Sequence, residues 1–201
     1  MQEGEALRLT NGIGSIASAS IKKANKKSCV LENLLIEQVA DNRKPVILAI
    51  SLLKNASRFE WMLEKITEIG VKTIIPLICQ RTERAQFRAD RMKNIMVSAM
   101  LQSQQAWLPE MVNPLSFHDV LSQNGFENKY IAHCLPGERT GLRSESGKGS
   151  SSIVLIGPEG DFTPSEINAA LLLGYKPVTL GDTRLRTETA GVVAVTLLSI
   201  N

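Results

Sequence analysis

Residues 153–167 read IVLIGPEGDFTPSEI. An apolar run of the kind that fills a buried strand stops at Gly-Pro-Glu-Gly, and a helix start follows five residues later. Thr163 is a good N-cap, Pro164 suits the first helical position, and Glu166 completes a capping box. Gly157 and Gly160 allow backbone angles closed to other residues, and Pro158 stiffens the turn. The unit is a strand, a tight loop and a helix, with bare N–H groups at the strand's carboxyl end. Open α/β sheets hold their ligands at that edge. A plain βα turn that needs glycine for geometry alone is the rival reading.

LGDTRLRTETA at 180–190 repeats the arrangement. It follows the strand pattern PVTL and leads into a capped apolar helix, AGVVAVTLLSI. Two consecutive strands thus end in loops expected to lie side by side. Neither loop carries the GxGxxG of a dinucleotide fold or the GxxxxGK[ST] of a P-loop. A pyrophosphate is therefore not the expected ligand. A molecule held by backbone hydrogen bonds and apolar walls is.

The chain before these loops supplies the rest of the sheet. PVILAISLL, TIIPLIC, KYIAHCL and SIVLI read as strands, and helical patterns separate them. Ser57 and Glu60 read as a capping box for a helix that Gly70 stops. Residues 88–107 give the longest helical pattern, with Met92, Ile95, Met96, Ala99 and Met100 as a core stripe. Ser116 opens a short helix, and 136–152 read as a mobile surface loop. Strands alternating with helices predict an α/β domain with a parallel sheet. Residues 1–36 differ: ALRL, SIASASI and SCVLENLL predict three strands, read as the remainder of a small β-barrel.

Composition bounds the function. The 201 residues are 43% hydrophobic and 21% charged, which suits a packed core. A net charge of +3 says little about nucleic acid. Cys29, Cys79 and Cys134, with His118 and His133, match no zinc spacing, so no metal is expected. No run is long enough to span a bilayer and no leader is recognised, which predicts a cytoplasmic protein without a membrane partner.

IGPEGDFTPSEI, LEKITEIGV at 63–71 and LGDTRLRTETA together resemble the RsmE family. These are SPOUT-class methyltransferases that methylate N3 of a uridine in 16S rRNA with S-adenosylmethionine. The resemblance spans the chain. It implies a partial PUA-like β-barrel over 1–42 and a SPOUT methyltransferase domain over 43–201. It also implies a parallel sheet flanked by helices, a carboxyl-terminal trefoil knot that makes the cofactor site, and a homodimer acting on 16S rRNA or the small ribosomal subunit.

The implied cofactor residues are Leu155, Ile156, Gly157, Pro158, Glu159 and Gly160 in the first loop. In the second they are Leu180, Gly181, Leu185, Arg186, Thr187, Thr189 and Ala190. The chain departs from the family at Asp161, where a second glycine is usual, and at Thr183, where arginine is usual and falls instead at Arg184. Leu101, Gln102 and Gln105 replace the Glu-Gln pair and arginine that end the long helix.

Methyl transfer from a sulfonium is an in-line displacement that mainly needs positioning. The uracil imide must lose a proton or have charge on its flanking oxygens stabilised. Arg186 and Arg81 are the candidate cations, and Glu188 or Glu159 the proton acceptor or sulfonium-side carboxylate. Glu188 also suits a helix's first turn, and Glu159 also suits a loop-orienting role. Arg81, Arg84, Arg88 and Arg91, the lysines at 22, 23, 26 and 27, and Lys54 are candidate phosphate contacts, with a solvated face as the alternative. Trp61 and Trp107 read as core or dimer residues, and His133 as a packed residue at the ligand edge. A non-catalytic RNA-binding or assembly factor, and an enzyme using the glycine loops for a nucleotide, remain as rival functions.

Overall fold

The computed structural model describes residues 2–83, 86–145 and 151–200. The chain forms two compact units: residues 1–42 with 100–108, and residues 43–99 with 109–201.

In the first unit, β1 (Ala6–Thr10), β2 (Ser15–Ala24) and β3 (Cys29–Gln38) form an antiparallel sheet in that order. Asn11 turns the chain between β1 and β2 by accepting the Ile13 and Ser15 N–H groups on its side chain. Asn25 does the same for Lys27 and Ser28 between β2 and β3. Ile16, Ala19 and Ile21 of β2 are buried, while β3 is exposed almost throughout. Trp107 lies over Gly14, where an added Cβ would stand 2.5 Å from the indole, and its Nε1 donates to the Val39 carbonyl at 3.0 Å. Trp107 is thus a packing residue of this unit.

The second unit is built on an eight-stranded parallel sheet. Its longer strands are β4 (Val46–Ser51), β5 (Thr73–Ile78), β8 (Asn128–Ala132), β10 (Ser152–Ile156) and β11 (Lys176–Thr179). Two-residue strands extend it: β6 (Glu110–Met111), β7 (Leu115–Ser116) and β9 (Thr140–Gly141). The order is β6-β5-β4-β10-β8-β11-β9, with β7 also on β5. Leu48, Ala49 and Ile50 of β4 and Ile153, Val154 and Leu155 of β10 are fully buried. Central parallel strands are covered on both faces, which is why these segments read as unbroken apolar runs.

The helices are α1 (Ala56–Ile69), α2 (Ala89–Gln102), α3 (Phe117–Leu121), α4 (Leu142–Glu145), α5 (Pro164–Leu172) and α6 (Thr187–Ser199). Gly70 closes α1 in the left-handed conformation, and Ser116 and Thr163 cap α3 and α5 as expected. The methionine stripe of α2 is core: Met92, Met96, Ala99 and Met100 are buried. After β11 the chain returns so that α6 packs on α1 and β4. That helix also contacts β10 and α4. None of the described helices is long and apolar enough to cross a membrane.

Four local readings need correction. Asn55, not Ser57, caps α1; its side chain accepts the Ser57 N–H at 3.0 Å. Glu60 does not close a capping box because it pairs with Arg91, whose hydrogen bonds, with its charge, hold the carboxyl below the usual carboxylate range. The helix AGVVAVTLLSI is not side-chain capped: Arg186 stands at the N-cap and makes no capping hydrogen bond. The loop 136–152 contains β9 and α4, stabilised by pairing of Thr140 and Gly141 with β11. Residues 146–150 of that loop, and Arg84 of the basic stretch, lie outside the described residues.

Candidate active site

Three chain segments leave the carboxyl edge of the sheet together: 157–163 after β10, 133–139 after β8, and 180–186 after β11. They border one cavity of about 740 Å³. The two glycine loops do share it, but their strands are not neighbours. β8 stands between β10 and β11, so His133 and Cys134 fill the gap between the loops.

The first loop owes its shape to contacts beyond it. The Asp161 N–H closes a turn on the Pro158 carbonyl at 2.9 Å. Neither Gly157 nor Gly160 uses a positive φ. Gly157 is needed for space: an added Cβ would lie 3.1 Å from both the Phe162 ring and its backbone nitrogen. The left-handed residue is Asp161, at φ +64°, which explains why glycine suits that position and why aspartate can replace it. Asp161 Oδ2 accepts the Cys134 N–H and Oδ1 the Phe162 N–H, both at 2.8 Å. Its carboxylate thus ties the β10 loop to the end of β8.

Two further carboxylates anchor the same loop. Glu166 is buried; Oε2 accepts the Thr163 N–H and Oε1 the Gln80 N–H, each at 2.8 Å. Glu159 Oε1 accepts the Lys54 N–H at 3.3 Å, so the loop-orienting contact exists. The Lys54 ammonium turns to Glu83 at 2.7 Å.

In the second loop, Gly181 takes φ +148°, and the Thr179 hydroxyl donates to its carbonyl at 2.8 Å. Asp182, Thr183, Arg184 and Arg186 are exposed, whereas Thr187 and Glu188 are buried. Glu188 Oε1 lies 3.7 Å from Arg58 Nε, and its Oε2 has no partner.

At the end of β8, Arg139 Nη1 donates to the His133 carbonyl at 2.7 Å. The His133 ring is buried and its Nδ1 has no partner. Burial pushes its pKa below the ordinary value, Asp161 opposes that shift, and Arg139 reinforces it.

Of the implied cofactor residues, Ile156, Gly157, Pro158 and Glu159 line the cavity from the first loop. Leu180, Gly181, Leu185, Arg186, Thr187 and Ala190 line it from the second, with Glu188. Leu155, Gly160 and Thr189 adjoin these residues without lining it. Arg81 is also off the cavity; its Nη1 donates to the Gly160 carbonyl at 2.7 Å.

Arg58, Cys134, Arg139 and Asp182 also line the cavity, and no sequence motif marks them for it. Arg58 was hidden by the misplaced cap of α1, and Arg139 by a loop read as featureless. The rule that ligands sit at the carboxyl edge pointed toward the end of β8, where His133 had been placed.

Residues 40–199 match the family described as RNA methyltransferase domain, and residues 1–32 the RNA methyltransferase PUA domain. The chain is 31% identical to ribosomal RNA small subunit methyltransferase E of Synechocystis, over 97% of its own length and 66% of that relative's. It thus spans slightly less than two thirds of that relative. A probable rRNA-methyltransferase from Porphyromonas gingivalis superposes with a TM-score of 0.90 at 40% identity, covering 98% of this chain and 84% of that one. Ribosomal RNA small subunit methyltransferase E from Neisseria gonorrhoeae, solved bound to S-adenosyl methionine, superposes at 0.87 and 29% identity, covering 98% and 83%. These relatives carry the names of enzymes rather than of assembly factors. With the RNA methyltransferase domain matched across 40–199 and the full chain aligned to small-subunit methyltransferases E, the chain belongs to the RsmE family of RNA methyltransferases.

Proposed function

We propose that the chain methylates small-subunit ribosomal RNA, at N3 of a uridine in 16S rRNA, with S-adenosylmethionine as donor. The cavity between the two glycine loops carries this reading. Its volume of about 740 Å³ lies within the range of small-molecule sites. Gly157 lines it with bare backbone and no side chain. The unmatched Glu188 oxygen fits a ligand that carries positive charge. The donor bound there supplies an activated methyl group on a sulfonium.

The residues proposed to hold it are the two loop sets, with Leu155, Gly160 and Thr189 supporting them. Arg186 stands exposed at the start of α6 with no capping bond to restrain it. It is free to donate to an oxygen of the acceptor base, where charge develops as the imide nitrogen loses its proton. Glu188 serves the donor side. Arg81 acts through Gly160 rather than by touching the reacting atoms. Glu159 is left as the proton acceptor of the set; its Oε1 contact with the Lys54 N–H is long enough to yield.

The unit containing residues 1–42 is proposed to be a partial PUA-like barrel that meets RNA, and 43–201 the catalytic domain with a knotted carboxyl terminus. The working form is proposed to be a cytoplasmic homodimer. Incubating the protein with donor and small subunits from cells lacking this activity, then mapping nucleosides by mass spectrometry, tests the reading. The expected product is one N3-methyluridine in 16S rRNA. Methylation of another base or of a different RNA would remove the substrate assignment. Binding of the donor without any methylation would support an RNA-binding factor instead.

A further inference from the structure

The cavity wall made by the first turn of α6 and the start of α1 holds an incomplete charge pair. The Glu188 side chain is 8% exposed. One oxygen stands 3.7 Å from Arg58 Nε, beyond hydrogen-bond reach, and the other has no partner. The other cavity carboxylates differ. Asp161 accepts an N–H on each oxygen, Glu159 accepts one from Lys54, and Asp182 is exposed to water. Arg58, 41% exposed, has no partner but Glu188 among the described residues. A buried carboxylate left half unmatched is unfavourable, and so is a pair held too far apart to share protons. The arrangement persists because α6 is fixed by its packing on β4 and α1.

Opposite charges side by side, each with unused capacity, suit a zwitterion. We infer that Glu188 and Arg58 form the receptor for the amino-acid end of the donor, Glu188 taking its ammonium and Arg58 its carboxylate. The guanidinium fork matches a carboxylate in two-point fashion. A carboxylate with a free oxygen matches an ammonium. Binding completes both, and the adenosyl part rests on the glycine loops, which offer backbone and apolar surface. The inference rests on the donor reading above. It adds Arg58, outside both glycine loops, as a residue that selects for the intact donor.

Calorimetry with three neutral-sulfur probes tests it. S-adenosylhomocysteine has the whole amino-acid end, its decarboxylated analogue lacks only the carboxylate, and 5′-methylthioadenosine lacks the entire end. Arg58→Ala is expected to weaken S-adenosylhomocysteine roughly 10- to 100-fold, the range for a charged hydrogen-bonded contact. It should leave methylthioadenosine and the decarboxylated analogue within about twofold. Glu188→Gln should weaken S-adenosylhomocysteine and the decarboxylated analogue and spare methylthioadenosine. Equal weakening of all three probes would make the pair a structural tie between α1 and α6 and overturn the inference, as would no effect on any. Arg58→Lys, which keeps the charge, guards against a fold defect: affinity for S-adenosylhomocysteine should be partly recovered. If the unaltered protein binds none of the probes, it is the donor reading itself that fails.

Discussion

Arg81 reaches across to the GPEG turn and donates a 2.7 Å hydrogen bond from Nη1 to the carbonyl of Gly160. Its Cδ lies 3.4 Å from where a Gly160 Cβ would stand, so the side chain lies along the turn. This fixes one side of the cavity from the end of β5 without entering it. The contact is exposed and contributes about 0.5–1 kcal/mol to stability at most. Its effect on a preorganised loop falls on binding instead. Arg81→Ala should weaken S-adenosylhomocysteine about 5- to 10-fold and lower the Tm by only about 1–3 °C. A variant with intact affinity and a large loss of Tm would remove Arg81 from positioning the loop.

Gly191 lies where α6 meets the sheet. A Cβ there would stand 2.7 Å from Ile50 Cδ1 and 2.9 Å from Met62 Sδ, and both side chains are fully buried. Alanine in a helix interior gains about 1 kcal/mol over glycine, while overpacking a closed core costs about 1–3 kcal/mol. Packing is expected to win because both neighbours are fully buried in the close-packed core. Gly191→Ala should lower unfolding stability by about 1–2 kcal/mol, read as a shift of the urea midpoint at unchanged slope. A rise in stability would mean that Ile50 and Met62 repack freely.

The parallel sheet and the two loops were legible because periodicity and caps are local. IVLI and VILAI are apolar on both faces, and Thr163, Pro164 and Glu166 mark a helix start within four residues. What was not legible depends on contacts distant in sequence. The position of β8 between β10 and β11 leaves no trace in the order of strands along the chain. Glu60 looked like a capping residue until Arg91, on another helix, claimed it. From sequence alone the glycines of GPEG suggest backbone freedom. The constraint on Gly157 is the Phe162 ring, and the positive φ belongs to Asp161. The two-residue strands β6, β7 and β9 are too short for any pattern and exist by pairing alone.

The cysteines report on the cavity independently of activity. Cys134 is exposed and lines it, Cys29 is exposed in the first unit, and Cys79 is buried. Burial pushes the Cys79 thiol up to about 12, so almost none of it is thiolate near neutrality. Iodoacetamide at pH 8 should label Cys29 and Cys134 and leave Cys79 unmodified until the protein unfolds. S-adenosylhomocysteine should slow labelling of Cys134 and leave the rate at Cys29 unchanged. Peptide mass spectrometry reads both. Equal protection of Cys29 would point to a general stiffening, and no protection of Cys134 would place the ligand elsewhere.

His133 gives the fold a pH dependence. Its folded pKa lies below the ordinary 6.5, chiefly through burial. The unfolded chain therefore binds the proton more readily, and stability rises with pH between the folded value and 6.5. The contribution is complete above 6.5 and is lost as pH falls through the folded value. His133→Gln should flatten the fall in Tm between pH 7.5 and pH 5.5. A slope unchanged by the substitution would assign the pH dependence to other groups.

Asp161 separates backbone strain from hydrogen bonding. At φ +64° it occupies a conformation that costs a residue with a Cβ about 1–2 kcal/mol. Its carboxylate offsets this by accepting the Cys134 and Phe162 N–H groups at 2.8 Å. Asp161→Ala keeps the strain and loses both bonds, an expected loss of about 2–4 kcal/mol. Asp161→Gly loses the bonds and relieves the strain, so it should be about 1 kcal/mol more stable than the alanine variant. Urea unfolding of both variants reads the difference directly. Donor binding adds a second distinction. Glycine restores the turn but not the tie between the β10 loop and β8, so both variants should bind S-adenosylhomocysteine more weakly than aspartate does. Were alanine and glycine equally stable, the left-handed angle would not be what selects the residue here. Were glycine to bind the donor product as tightly as aspartate, the bond to Cys134 would be incidental to the cavity.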